Sequence, residues 1–448
     1  MNTPILNFAE NYAAAGPVRM HMPGHKGTGR NGVERMDITE IPGADVLYAS
    51  NGIIRESEEN ASKLFGSART VYSTEGSSLC IRAMLYLAHL YAEQNGKRSR
   101  IAAGRNAHRV FQEAAAMLDP ELFWVGTGED LLGCRVTEEE LAALFQNQDT
   151  APTAVYLTSP DYLGRMAEIA KIADLCHRHS ALLLVDNAHG AYLKFLPGQL
   201  HPLEQGADLC CDSAHKTLPA LTGAAYLHAS SACPKELLPL MERAMALFAS
   251  TSPSYLILQS LDAVNVKLAG ELPERLSNAA GRTAELKKNL ADCGWALTGS
   301  EPLKLTLHTK PYGYTGKEVA ACLSAEGIIC EFSDPDYVVL MPGESTEPEE
   351  YEKLLTILSV LKQRPAITER APARNSVMAE LTMREAMLSP YETVQAADSI
   401  GRILATPSVS CPPAVPICIC GERIDRAAVM LFQYYGIEFC DVVVEKRG

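Results

Sequence analysis

The sequence predicts an α/β fold, with a mostly parallel sheet covered by helices and smaller α+β domains towards the C-terminus. Three observations carry that prediction. From about residue 69, short apolar strands alternate with helical segments at the spacing of βαβ units. Ala181-Leu182-Leu183-Leu184-Val185 is an unbroken apolar run, the mark of a parallel strand buried on both faces. After Gly294-Trp295 the elements shorten and the pattern changes. The chain has 448 residues, too many for one ordinary domain. With 47% hydrophobic and 21% charged residues, it can build a large core and stay soluble.

Residues 1–68 read as an N-terminal arm. Turn formers crowd it (Pro17, Pro23, Gly24, Gly27, Gly29, Gly32, Pro42, Gly43), and only 58–65 reads as a short helix. Its glycine-rich loop carries His25 and Lys26 but lacks the spacing and the terminal Lys-Ser/Thr of a P-loop. A large domain is expected over 69–292. Its strands are 70–74, 100–103, 122–125, 154–158, 181–185, 209–211 and 224–228. Helices are expected over 79–92, from His108 onward, and over 138–145, 167–179, 235–247, 254–268 and 273–292. A small α+β domain over 293–365 has strands at 304–307, 328–330 and 337–340 and helices at 317–325 and 347–362. Residues 364–374 read as a linker. The remaining C-terminal subdomain, 366–448, ends in a strand at 440–444.

The chemistry concentrates at strand ends, where open α/β sheets bind ligands. Asp212-Ser213-Ala214-His215-Lys216-Thr217 closes one strand. A lysine in such a turn is expected to lose hydration, which lowers its pKa and frees the amine as a nucleophile. That suits a Schiff base with an aldehyde cofactor; the plainer reading is a solvated loop lysine. Val185-Asp186-Asn187-Ala188-His189-Gly190 closes another strand. An aspartate there can pair with a pyridinium nitrogen, and is otherwise a turn carboxylate. Lysine and aspartate together are the two contacts that pyridoxal phosphate needs most. Gly76-Ser77-Ser78 opens a helix, as a phosphate seat or as a plain serine cap.

Three motifs, Ser213-Ala214-His215-Lys216-Thr217-Leu218, Val185-Asp186-Asn187-Ala188-His189-Gly190 and Met22-Pro23-Gly24-His25-Lys26-Gly27, resemble the bacterial Orn/Lys/Arg decarboxylase family. So do Thr251-Ser252-Pro253-Ser254-Tyr255, Ser260-Leu261-Asp262, Gly401-Arg402-Ile403, Cys411-Pro412-Pro413 and Gly421-Glu422-Arg423-Ile424. These matches run in family order from about residue 19 to about residue 425. The resemblance implies a fold-type I pyridoxal phosphate enzyme of the short form, without the extra N-terminal domain. It implies that Lys216 carries the cofactor and that Asp186 protonates its ring nitrogen. Gly76, Ser77, Ser78 and Ser213 would grip its phosphate, while His108 of Arg105-Asn106-Ala107-His108 stacks on the ring. His189 joins the cofactor contacts, and the arm runs near an active site at a subunit interface. The implied reaction takes a basic L-amino acid (lysine, arginine or ornithine) to its amine and CO2, a step of polyamine biosynthesis. Either Lys216 or His215 would return a proton to Cα. Tyr162 faces the cofactor or is a turn aromatic. Glu40, Glu75, Glu331 and Asp334 are candidates for the substrate's distal cation, or else ordinary surface charges.

This chain departs from the family at three places: Asn187 where glutamate is usual, Tyr192 for a second histidine, and Cys420 before Gly421 where proline is usual. The runner-up readings are another pyridoxal phosphate reaction on the same fold, an aminotransferase or lyase, and a catalytically inactive regulatory homologue. A net charge of −14 argues against nucleic acid, which needs a basic face. The N-terminus has no basic start or apolar leader, and no run reaches membrane-spanning length. Thirteen irregularly spaced cysteines read as reduced cytoplasmic thiols. Cys210-Cys211 and Cys418-Ile419-Cys420 lack zinc spacing, so no metal is expected. The expected partners are a small amino-acid substrate and a second copy of the chain, in a homodimer or a higher homo-oligomer.

Overall fold

The computed structural model describes residues 1–126, 134–374, 377–409 and 415–444. It divides into two compact units. The first comprises Met1–Ser99, Thr153–Val155 and Ile169–Leu276; the second comprises Arg100–Pro152, Tyr156–Glu168 and Ser277–Gly448. Seven strands form the large sheet: β1 (Arg69–Ser73), β2 (Arg100–Gly104), β3 (Glu121–Val125), β4 (Ala154–Thr158), β5 (Leu182–Asp186), β6 (Leu209–Asp212) and β7 (Ala225–Ala229). Their order is β1-β7-β6-β5-β4-β2-β3. β5 runs parallel to β6 and β2 to β3, whereas β7 is antiparallel to both β1 and β6. The mostly parallel α/β sheet expected from the apolar runs is therefore present. Every residue of β5, β6 and β7 is buried, so these strands carry apolar side chains on both faces.

The first unit holds a helix that the turn-rich arm did not announce. Pro4–Ala15 is helical, with proline in its first turn and Gly16 closing it in the left-handed conformation. Its leading N–H groups are satisfied from far away: Ile5 and Leu6 donate to Asp262 Oδ2 at 2.9 and 3.1 Å. Asp262 sits on the helix Tyr255–Ala269, and its Oδ1 accepts from Ser57 Oγ at 2.6 Å. Ser57 lies on the helix Ile53–Phe65, which starts before the expected residue 58. Glu58 is buried there and accepts from the Tyr72 N–H at 3.0 Å. Burial pushes its carboxyl up to about 8, outweighing that bond and the attraction of Arg69 and Arg55.

The second unit contains an antiparallel sheet of β8 (Ala296–Thr298), β9 (Leu305–His308), β10 (Phe332–Ser333) and β11 (Tyr337–Leu340), in the order β10-β11-β9-β8. Trp295 stacks on Tyr312 in its core, 4.0 Å between ring centres. The strand expected over 328–330 is not one. Ile328 N–H turns back to the Leu323 carbonyl, closing the helix Gly316–Ala325, so pairing starts only at Phe332. Towards the C-terminus, β12 (Tyr391–Gln395), β13 (Ser408–Val409), β14 (Cys418–Ile419) and β15 (Phe439–Val443) pair as β12–β15 and β13–β14. The motif Cys411-Pro412-Pro413 lies outside the described residues. No helix among those described is long and apolar enough to cross a membrane.

Arg105 is a fully buried cation of this unit. Its Nη1 and Nη2 lie 2.6 and 2.9 Å from the two oxygens of Glu422, and Arg374 reaches the same carboxylate at 3.4 Å. The fork-to-fork geometry is the one in which arginine binds a carboxylate most strongly. Removing Arg105 takes away the nearer of the two cations and leaves the buried Glu422 carboxylate with only Arg374 to balance it. Arg105→Ala is therefore expected to lower the unfolding free energy by about 3–5 kcal/mol. Arg109→Ala, which breaks an exposed pair with Glu113, should cost below about 1 kcal/mol; denaturant titration of both variants compares them.

Glu58 gives a pH test. Its pKa is raised in the folded chain, so the folded state holds a proton between about 4.5 and 8 that the unfolded chain releases. Stability from this group is therefore lost as pH rises through that window. Glu58→Gln should raise the melting temperature relative to the native protein at pH 8, with the difference closing towards pH 5.

Candidate active site

Strand β6 ends in Asp212, and one turn of helix, Ala214–Thr217, follows it. That turn lifts Lys216 off the sheet, where it is exposed and lies 3.2 Å from His189 Nε2. The sequence suggested a lysine enclosed between strands. In the structure the helical turn carries it above the strand end instead, so this chain alone does not strip water from it. His215, beside it, is half-buried. Its Nδ1 lies 2.9 Å from the Ala224 carbonyl, which requires the proton on that nitrogen.

The neighbouring strand β5 ends in Asp186, whose register partner on β6 is Cys211. Asp186 is buried, and its Oδ1 accepts from the Ala188 N–H at 3.1 Å and from the Cys211 thiol at 3.5 Å. Parallel pairing brings the aspartate and the Ser213–Lys216 turn out at the same end of the sheet, as ligand sites in open α/β sheets require.

The helix Gly76–Gln94 begins after β1 in the same unit. Its cap residue, Glu75, makes no side-chain capping bond and accepts instead from the Ser250 N–H at 2.8 Å. Gly76 has φ +71°, and a Cβ there would meet nothing within 4 Å. Open space thus adjoins a helix start, where N–H groups lack intrahelical carbonyls and the dipole favours an anion. The buried Ser213 Oγ donates to Ser77 Oγ at 2.9 Å. Two hydroxyls beside an uncapped helix start suit a phosphate, and the lysine and aspartate suit an aldehyde and a ring nitrogen. The residues fit pyridoxal phosphate.

His108 belongs to the second unit, where it caps the helix Arg109–Leu118. Its ring is exposed, and its Nδ1 accepts from the Val110 N–H at 3.2 Å. Tyr162, in the same unit, donates to Glu331 at 3.0 Å. Asp334 is 2% exposed and accepts from the N–H groups of Asp336 and Tyr337. It is a turn carboxylate rather than a seat for a substrate cation. Glu40 and Glu75 are both exposed in the first unit. The described cysteines are free thiols, and burial pushes those of Cys210 and Cys211 well above their ordinary value, which suits packing.

Sequence reasoning passed over one cluster. Asp212 is fully buried and gathers Asn187, His201 and His228 around its carboxylate. A signal was available. His228 interrupts the apolar run of β7 opposite Cys210, and a histidine inside a buried strand needs a polar partner on the same face.

Known proteins resemble the chain as a whole. An arginine decarboxylase of Halalkalibacterium halodurans is 28% identical, covering 95% of this chain and 91% of that one. A Bacillus subtilis protein called only "Uncharacterized protein YaaO" is 29% identical, over 96% of this chain and 93% of that one. The crystal structure of the Francisella novicida lysine decarboxylase superposes with a TM-score of 0.78 at 16% identity, over 99% of this chain and 81% of that one, a likeness of fold. The model of the Orn/Lys/Arg decarboxylase major domain matches residues 3–309, and the chain belongs to that family.

Proposed function

We propose that this enzyme decarboxylates a basic L-amino acid (lysine, arginine or ornithine) to the corresponding amine, using pyridoxal phosphate bound at Lys216. The observation that supports this most is the pair of adjacent parallel strand ends, which presents Asp186 and the Lys216 turn together, beside the hydroxyls of Ser77 and Ser213. Pyridoxal phosphate, when bound, supplies a protonated ring that accepts the electron pair left on Cα as CO2 departs.

The chain's own residues do the rest. Lys216 Nζ would hold the cofactor by its aldehyde carbon, 3.2 Å from His189 Nε2. Asp186, turned by the Ala188 N–H and the Cys211 thiol, keeps the proton on the ring nitrogen. Ser77, Ser78, Ser213 and the helix start at Gly76 receive the phosphate, and His189 contacts the cofactor from beside Lys216. His108, whose orientation is set by the Val110 N–H, would be the residue that stacks on the ring, as the family resemblance implies. The proton returned to Cα would come from Lys216 Nζ or from a doubly protonated His215, whose Nε2–H is the one left over from the Nδ1–H bond to the Ala224 carbonyl. Among the candidate carboxylates for the distal cation, Glu75 stands next to the phosphate seat in sequence. The same reading puts the enzyme in the cytoplasm, as a homo-oligomer in polyamine formation.

Borohydride reduction followed by peptide mapping should place one cofactor label per chain on Lys216, and Lys216→Ala should abolish both label and turnover. A label on another lysine would remove the basis of the proposal. Incubation with each basic amino acid, read by mass spectrometry, should yield the matching amine with CO2 from one of them. A keto acid in place of the amine would point to transamination.

A further inference from the structure

Asp212 has no place in the chemistry above, yet it is the most completely enclosed charge near it, with no exposed surface. Both oxygens are engaged. Oδ1 accepts from Asn187 Nδ2 at 2.7 Å and from the Cys210 thiol at 3.6 Å. Oδ2 lies 2.9 Å from His201 Nε2 and 3.3 Å from His228 Nε2. His201 is itself oriented, because its Nδ1 accepts from the Leu203 N–H at 3.3 Å and so leaves the ring proton on Nε2, facing Asp212. His228 Nδ1 meets Thr70 Oγ1 at 2.8 Å.

A carboxylate with no exposure is expensive unless donors surround it. For stability alone an apolar side chain serves a strand interior as well or better. The position of this carboxylate is therefore the informative fact. Its two oxygens bind different segments: one holds residue 187, the other the turn at His201. Asn187 directly follows Asp186, and its own N–H also donates to the Cys211 carbonyl at 3.0 Å. Residue 187 is thus clamped to β6 by backbone and side chain alike. Asp212 directly precedes Ser213 and stands four residues before Lys216. Gly190 leaves room for the clamp, since a Cβ there would lie 2.0 Å from Asn187 Oδ1.

We propose that Asp212 is a positioning residue for the cofactor site. Its carboxylate ties the end of β5 to the end of β6, so that Asp186 and the Ser213–Lys216 turn present a single preformed seat to pyridoxal phosphate. The inference rests on the cofactor reading above. An amide at 212 cannot accept from Asn187 and from His201 Nε2–H together, because its NH2 group turns a donor towards one of them.

The test is cofactor affinity, measured by absorbance titration of the cofactor-stripped full chain, beside its melting temperature. Asp212→Asn should weaken pyridoxal phosphate binding at least tenfold. Asn187→Ala removes only the tie to β5 and leaves Asp212 with its histidines; it keeps the test open if Asp212→Asn does not fold, and should weaken binding severalfold. If Asn187→Ala binds within twofold of the native chain, or if these substitutions lower only the melting temperature, the positioning role falls. Zinc at one equivalent per native chain would also overturn it, since Cys210, His201 and Asp212 would then serve a metal. A native chain with no borohydride label on Lys216 would instead bring down the cofactor reading itself, and this inference with it.

Discussion

The pairing of β5 with β6 is the constraint on which the site depends. Asp186 lies opposite Cys211, so the next residues of both strands leave the sheet together. A slip of one residue would turn every side chain of a strand to the other face. Here that would exchange Asp186 with Val185 and bury the wrong group against the helices. Because both strands are enclosed on both sides, hydrophobic burial resists such a slip strongly. The polar residues at the strand ends are carried into place by apolar residues that have no chemistry of their own.

Buried carboxylates show how partners decide the state of a charge. Burial acts in the same direction on Glu58 and Asp212. For Glu58 it prevails, and the group holds its proton to about 8. For Asp212 burial also pushes upward, but the attraction and hydrogen bonds of His201 and His228 outweigh it, and the carboxyl is held well below its usual range. Asp262 binds Ile5, Leu6 and Ser57, and Glu422 receives Arg105 and Arg374. In each case one carboxylate joins segments that are distant in sequence. The role of Asn187 follows the same logic: its side-chain amide donates to Asp212 and so joins the end of β5 to β6.

The parts legible from sequence were those that short-range pattern controls. Strand β4 spans the residues that its apolar run marks out, and the helix Tyr255–Ala269 starts after Ser254, whose hydroxyl caps it as a serine there should. The Lys216 and Asp186 motifs were legible because strand-end chemistry is local. What escaped was non-local. The helix Pro4–Ala15 takes two of its leading hydrogen bonds from Asp262, more than 250 residues away, and no window of sequence contains both. The Asp212 cluster draws on β5, β6, β7 and the turn at His201, so it exists only once the sheet is assembled. The helix Arg426–Tyr435 is a different case. Asp425 and Gly436 flank it as ordinary caps, so its signal is local.

The antiparallel seat of β7 between β1 and β6 bears on how the chain emerges from the ribosome. Arg69 pairs with Ala229, 160 positions later, and among the described residues β7 is the one strand beside β1. During synthesis β1 and the helix behind it leave the exit tunnel long before their partner strand is made. A strand waiting that long exposes unpaired backbone that invites association with other chains. The buried tether from Tyr72 to the helix Ile53–Phe65 is formed from residues already translated, and it occupies the outer edge of the strand before β7 is made.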